Sequence, residues 1–145
     1  MSLRRLRVGE LTALAGSGLV IASLFSRWYE TPIGELDAWN SFGPSIVLLL
    51  AALCAALAMI LSALTERSAA LPVATAVWCV PLGLAGVLAA VVRVLERPDH
   101  ASEVCIGAWL ALAGAVLILI GAWLVLRDER PSMYGPARPE PRPRP

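Results

Sequence analysis

The chain has 145 residues, of which 58% are hydrophobic and 16% charged, with a formal net charge of +1. Soluble domains average roughly 45–50% apolar and about 25% charged residues, so a water-soluble fold has too little polar residue here to cover its surface. The length leaves room for one compact helical unit and a polar tail, and for no separate soluble catalytic domain.

Four apolar runs bounded by charge define the predicted elements. Residues 8–26 form the first span; between Glu10 and Arg27 it carries 16 residues without Asp, Glu, Lys or Arg. Its basic start, Arg4-Arg5-Leu6-Arg7, fits a secretory signal as well, but the residues just before Arg27, Ala22-Ser23-Leu24-Phe25-Ser26, make no small-x-small cleavage site, so a retained span is expected. Gly18-x-x-x-Ala22 supplies a face of small residues on which another helix can approach closely. Glu10 falls one turn inside the charged end, where an acid suits a helix N-terminus and reaches headgroup water; the alternative is a buried, proton-carrying acid.

The outer segment that follows, 27–43, concentrates Trp28, Tyr29, Trp39 and Phe42 beside Glu30, Glu35 and Asp37. Amphipathic rings at the ends of spans form an interfacial belt. The alternative is a small outer cap in which Trp28 and Trp39 stack and the acids face a partner, so these seven residues are the candidate contact patch. Thr31-Pro32-Ile33-Gly34 reads as a turn. Span two, 44–64, holds leucine, alanine, Cys54, Met59 and Ser62 and reads as a packing element. A connection at 65–70 is short enough to force the next span back beside it.

Span three, 71–94, contains Pro81, which removes the donor for the Val77 carbonyl and predicts a kink. Arg93 to Glu103 forms a second outer segment with the lone histidine, His100; one imidazole does not make a metal site. Span four, 104–126, is 23 residues without a formal charge, roughly 34 Å at about 1.5 Å per residue against a hydrocarbon core of about 30 Å. Gly107, Gly114 and Gly121 recur there every seven residues, which keeps them on one seam. Tight contact along that seam is expected, within the chain or between two copies. Residues 127–145 are rich in arginine and proline and predict an extended, disordered tail.

Arginine asymmetry orients the spans. With both termini and the 65–68 turn on one side, that side holds Arg4, Arg5, Arg7, Arg67, Arg127, Arg130, Arg138, Arg142 and Arg144, against Arg27, Arg93 and Arg97 on the other. Basic residues favour the cytoplasmic side, so both termini are expected there. All twelve basic residues are arginine, a composition that points to a G+C-rich coding sequence. The expected fold is therefore all-α: an integral membrane antiparallel four-helix bundle, N-in and C-in, in a bacterial inner membrane.

Chemistry is sparse. Cys54, Cys79 and Cys105 are odd in number, none lies in the first outer segment, and Cys54 and Cys79 read as small core thiols. Small multidrug-resistance transporters share this size and span count but need an acid well inside helix one, and Glu10 lies near its charged end. No C-x-x-C, G-x-S-x-G, H-E-x-x-H or P-loop occurs. No catalytic, cofactor-binding or metal-binding residue is assigned, and no nucleic-acid partner is expected. The reading is a non-enzymatic subunit whose partners are the lipid bilayer and itself or another membrane protein. The alternative is a small channel or passive transporter whose path passes Ser17, Thr75, Cys79 and the backbone opened by Pro81.

Trp28-Tyr29 followed by Ala38-Trp39-Asn40-Ser41-Phe42 resembles a group of uncharacterised bacterial four-span membrane proteins with a P-W-Y and then an A-W-x-x-F. Arg27 stands where that pattern has proline. The resemblance implies the four-span topology and carries no activity.

Overall fold

A computed structural model describes residues 7–31, 34–65, 70–96 and 103–127. The tail at 128–145, the turn residues Pro32 and Ile33, and His100 with its neighbours lie outside the described residues. Four long helices dominate: α1 (Val8–Leu24), α3 (Ile46–Thr65), α4 (Ala70–Leu95) and α5 (Ile106–Arg127). Short elements occupy the connection between α1 and α3, namely β1 (Arg27–Thr31), β2 (Gly34–Asp37), α2 (Ala38–Phe42) and a 3-10 turn at Gly43–Ser45. A further strand, β3 (Glu103–Val104), precedes α5.

Three helices are long and apolar enough to cross a membrane, and α1, with 17 residues, is a shorter apolar one. Their surfaces are inverted relative to a soluble protein. Facing inward are Ala13, Ala52, Ala56, Ala76, Ala90, Ala108, Ala111, Ala115 and Ala122, all fully buried, with buried Gly9, Gly16, Gly107, Gly114 and Gly121 among them. Facing outward are large side chains such as Val47, Leu61, Trp78, Leu88 and Trp123, each more than half exposed. Water would drive this arrangement the other way. In lipid, apolar side chains gain nothing by hiding, and small residues go inside because they let helix backbones approach. These helices are those of a membrane-embedded protein.

Neighbours along the chain run antiparallel. α3 meets α4 with Ser62 Oγ 3.3 Å from Thr75 Oγ1 near one end and the Arg93 guanidinium 3.4 Å from Ser45 Oγ at the other. α4 meets α5 where Gly83 faces Ile118 and Leu119. α5 returns to α1, which also touches α3, so the four helices close on one another. Pro81 lies within α4, which continues helically on both sides of it, and its ring is on the exposed surface.

The all-α expectation holds for the mostly helical described residues, to which the structure adds a small three-stranded antiparallel sheet of order β2-β1-β3. β1 is central and joins the first outer segment to the second. Its pairing with β2 shifts between Arg27 and Tyr29: Arg27 faces Asp37, Tyr29 faces Leu36, and Trp28 is the extra residue. A bulge of this kind breaks the alternation of faces, so Trp28 and Tyr29 are both fully buried although adjacent. Gly43 has φ +52, a left-handed conformation that glycine adopts without a Cβ penalty; it ends α2 and redirects the chain into α3.

Candidate functional site

Two constellations stand out, the glycine seam and the outer cap. Gly107, Gly114 and Gly121 all face α1 or the chain leaving it. A Cβ added at Gly114 would sit 2.7 Å from the Gly16 carbonyl oxygen and 2.8 Å from the Val20 nitrogen. One at Gly121 would sit 2.6 Å from both the Gly9 oxygen and the Ala13 nitrogen, and one at Gly107 would sit 2.6 Å from the Arg27 oxygen. Gly9 and Gly16 return the contact at 2.9 Å and 2.6 Å. Glycines therefore meet from both helices, and the structure places this seam within one chain.

The partner seam on α1 is not the Gly18-x-x-x-Ala22 face expected from sequence. Gly18 has nothing within 4 Å of an added Cβ, and Gly18 and Ala22 are both exposed. Gly9 and Gly16 share the seven-residue spacing of the α5 glycines, and Ser23, also buried, continues it. That matched period was the signal available in the sequence.

Glu10 is likewise corrected. It is fully buried rather than in contact with headgroup water, and its Oε2 accepts the Arg7 backbone N–H at 2.8 Å. The reason is helix offset. Adjacent Gly9 lies against Gly121, six residues before the end of α5 at Arg127, so α1 begins about 9 Å inside that end at about 1.5 Å per residue. A carboxylate there satisfies one of the orphan N–H groups at the start of α1 and sits at the positive end of its dipole.

The outer cap rests on Trp28 and Tyr29. Trp28 Nε1 donates to the Ser23 carbonyl at 2.8 Å, and its backbone oxygen accepts the Cys105 N–H at 2.8 Å. The Tyr29 hydroxyl donates to the Arg93 carbonyl at the end of α4. Their rings lie 6.5 Å apart, tilted by 53°. One dipeptide thus ties α1, α4 and the start of α5 together. Trp39, by contrast, is half exposed, so the alternative of a cap with Trp28 stacked on Trp39 gives way to Trp28 beside Tyr29.

The aromatic expectation consequently divides. Trp39 and Trp109 are exposed near the helix ends that carry the sheet, Trp78 and Trp123 nearer the opposite ends, while Trp28 alone among the tryptophans is buried. Four rings suit interfacial anchors and one is a structural pin. Glu30 is exposed; Glu35 and Asp37 lie on β2 and Phe42 ends α2, with their side chains outside the described residues.

The hydroxyls of Ser17 and Ser62 each bond a carbonyl of their own helix. Ser17 Oγ donates to the Ala13 carbonyl at 2.8 Å, and Ser62 Oγ bonds the Met59 carbonyl at 2.7 Å as well as approaching Thr75. Cys79 is buried, but Cys54 is exposed, so the expectation of two core thiols holds for one only. A groove between α4 and α5, lined by Val80, Leu84, Leu119, Ile120 and Trp123, is wholly apolar. Among the described residues no group of three His, Cys, Asp or Glu is arranged to hold a metal ion. Comparison with protein-family models, curated proteins and solved structures finds no match to this chain.

Proposed function

We propose that this chain is a non-enzymatic multi-pass protein of a bacterial inner membrane, a four-helix antiparallel bundle with both termini cytoplasmic that serves as a structural or accessory subunit. The observation that carries the reading is how the interior is used. Inward surfaces are spent on glycine and alanine contacts, and the hydroxyls of Ser17 and Ser62 on nearby carbonyls. Such an interior favours a rigid scaffold whose business lies at its ends. The outer cap, pinned by Trp28 and Tyr29, is the end best organised to meet another protein.

Orientation rests on nine arginines against three and on the positive-inside tendency. A membrane-impermeant thiol reagent added to intact cells is expected to label Cys105, at the outer start of α5, and to spare Cys54 and Cys79. Labelling of Cys105 from the cytoplasmic side alone reverses the topology. For the subunit reading, the epitope-tagged chain is cross-linked in membranes and purified in gentle detergent. A stoichiometric membrane-protein partner is expected; recovery of the chain alone removes the reading.

A further inference from the structure

The groove between α4 and α5 has a volume of about 430 Å³ and exposes no polar atom. Small-molecule sites run from about 300 to 1,000 Å³, so it has room for part of a flexible apolar chain. Val80 and Leu84 stand one turn apart on α4, and Leu119 and Trp123 one turn apart on α5 with Ile120 beside them. Leu84, Ile120 and Trp123 are each more than two-fifths exposed, so the groove opens outward, on the surface that faces lipid. Such a lining offers no hydrogen bond to a polar solute.

Charge and packing select the occupant. Arg127, the last residue of α5, is exposed and stands one turn beyond Trp123 on the same helix face. Cα–Cβ bonds tilt toward a helix N-terminus, so its side chain starts back over the turn that carries Trp123. At about 1.5 Å per residue, Trp123 lies about 6 Å and Leu119 about 12 Å below the level of Arg127. The headgroup region on each side of a bilayer is about 5–7 Å deep, so a guanidinium at phosphate depth puts the indole at the hydrocarbon boundary and the rest of the groove among acyl chains. Asp128 and Glu129 follow in the chain, so the headgroup contact falls to this one guanidinium and not to a basic cluster. A further helix is the poorer occupant, because helices in this chain meet through glycine and alanine, whereas large side chains wall the groove. We propose that the groove binds one anionic phospholipid, with an acyl chain between α4 and α5 and the phosphate on the Arg127 guanidinium. This site depends on the helices being embedded in lipid and is independent of the subunit reading.

The test uses the full chain in gentle detergent, titrated with phosphatidylglycerol whose acyl chains carry bromine, a short-range quencher of tryptophan. Saturable quenching is expected, lost in Trp123→Phe and kept in Trp78→Phe, whose indole is exposed outside the groove. Phosphatidylcholine with the same chains is expected to bind about fivefold more weakly, the effect of one arginine beside an anionic headgroup. Arg127→Gln is expected to bring the two lipids to equal affinity, and inorganic phosphate is expected not to compete with either. Leu84→Phe, at a half-exposed position, is expected to weaken both about tenfold by displacing roughly two buried methylene groups. Quenching that does not saturate, or that saturates equally in Trp123→Phe, overturns the proposal. Equal affinity of the wild type for the two lipids, or a preference that survives Arg127→Gln, overturns it as well. A dimer in native mass spectrometry that Leu84→Phe dissolves and added lipid does not would give the groove to a second copy, with the same consequence.

Discussion

Along α1 and α5 the backbones themselves meet, whereas α3 and α4 are held apart by alanine methyls and a pair of hydroxyls. Added Cβ atoms at Gly16, Gly114 and Gly121 would all fall under 3.0 Å from backbone atoms of the facing helix. On the α3–α4 side the tightest glycine, Gly86, meets the Ala52 methyl at 3.0 Å and no backbone atom nearer than the Leu48 oxygen at 3.7 Å. The difference follows from composition, because α1 is the shortest of the four long helices and has the fewest residues with which to make contact. Close approach compensates for length, since dispersion falls steeply with distance and lipid supplies no hydrophobic drive between helices.

The comparison breaks most directly at Gly114. Gly114→Leu places a branched side chain where even a Cβ overlaps Gly16 and Val20, and the helices must separate along their length. A loss of about 3 kcal/mol is expected, at the upper end of overpacking costs. Unfolding in mixed micelles, followed through the fluorescence of buried Trp28, measures it. Unchanged stability would mean that α1 and α5 do not meet at these glycines.

A second prediction sharpens the role of the cap in holding that seam closed. Tyr29→Phe keeps the buried ring and removes the hydroxyl that donates to the Arg93 carbonyl, one tie between α4 and β1. A loss of about 1 kcal/mol is expected, typical of one hydrogen bond to a buried acceptor. Hydrogen exchange at β1 amides is expected to quicken while that of α5 at Gly114 stays unchanged. Equal acceleration at both places would show that cap and seam open as one unit.

How much of this was legible in the sequence depends on which kind of signal each part emits. The helices announce themselves by charge-free runs, and the expected spans 44–64, 71–94 and 104–126 fall within two residues of α3, α4 and α5 at every end. The α5 seam was visible as a seven-residue glycine period. Its counterpart on α1 was obscured because Gly18 and Ala22 offer a more familiar small-residue spacing than Gly9 and Gly16, and spacing alone does not say which face turns inward. The sheet was hidden for a different reason. Its strands are short, and the bulge at Trp28 puts two adjacent aromatics on the inward side, which erases the alternation that identifies a strand. Depth counted from the end of its own helix puts Glu10 near water, whereas burial depends on where the neighbouring helices end.

The smallest effect tests the other side of α5, where it meets α4. Gly83 on α4 faces Leu119, but the nearest atom to an added Cβ is 3.5 Å away, an ordinary van der Waals contact. Gly83→Ala therefore fills space without displacing anything, and it removes the conformational freedom that makes glycine unfavourable inside a helix. A gain of about 0.5 kcal/mol is expected in the same micelle assay, part of the alanine–glycine propensity difference. The sign is the informative quantity. The same substitution at Gly121, where the Cβ would meet backbone at 2.6 Å, is destabilising, so opposite signs at Gly83, which faces α5, and at Gly121, which faces α1, would establish that closeness at α1–α5, and not glycine content, is what the fold requires. A loss at Gly83 comparable to that at Gly121 would mean that α4 and α5 also approach to backbone contact, and the distinction between the two sides would disappear.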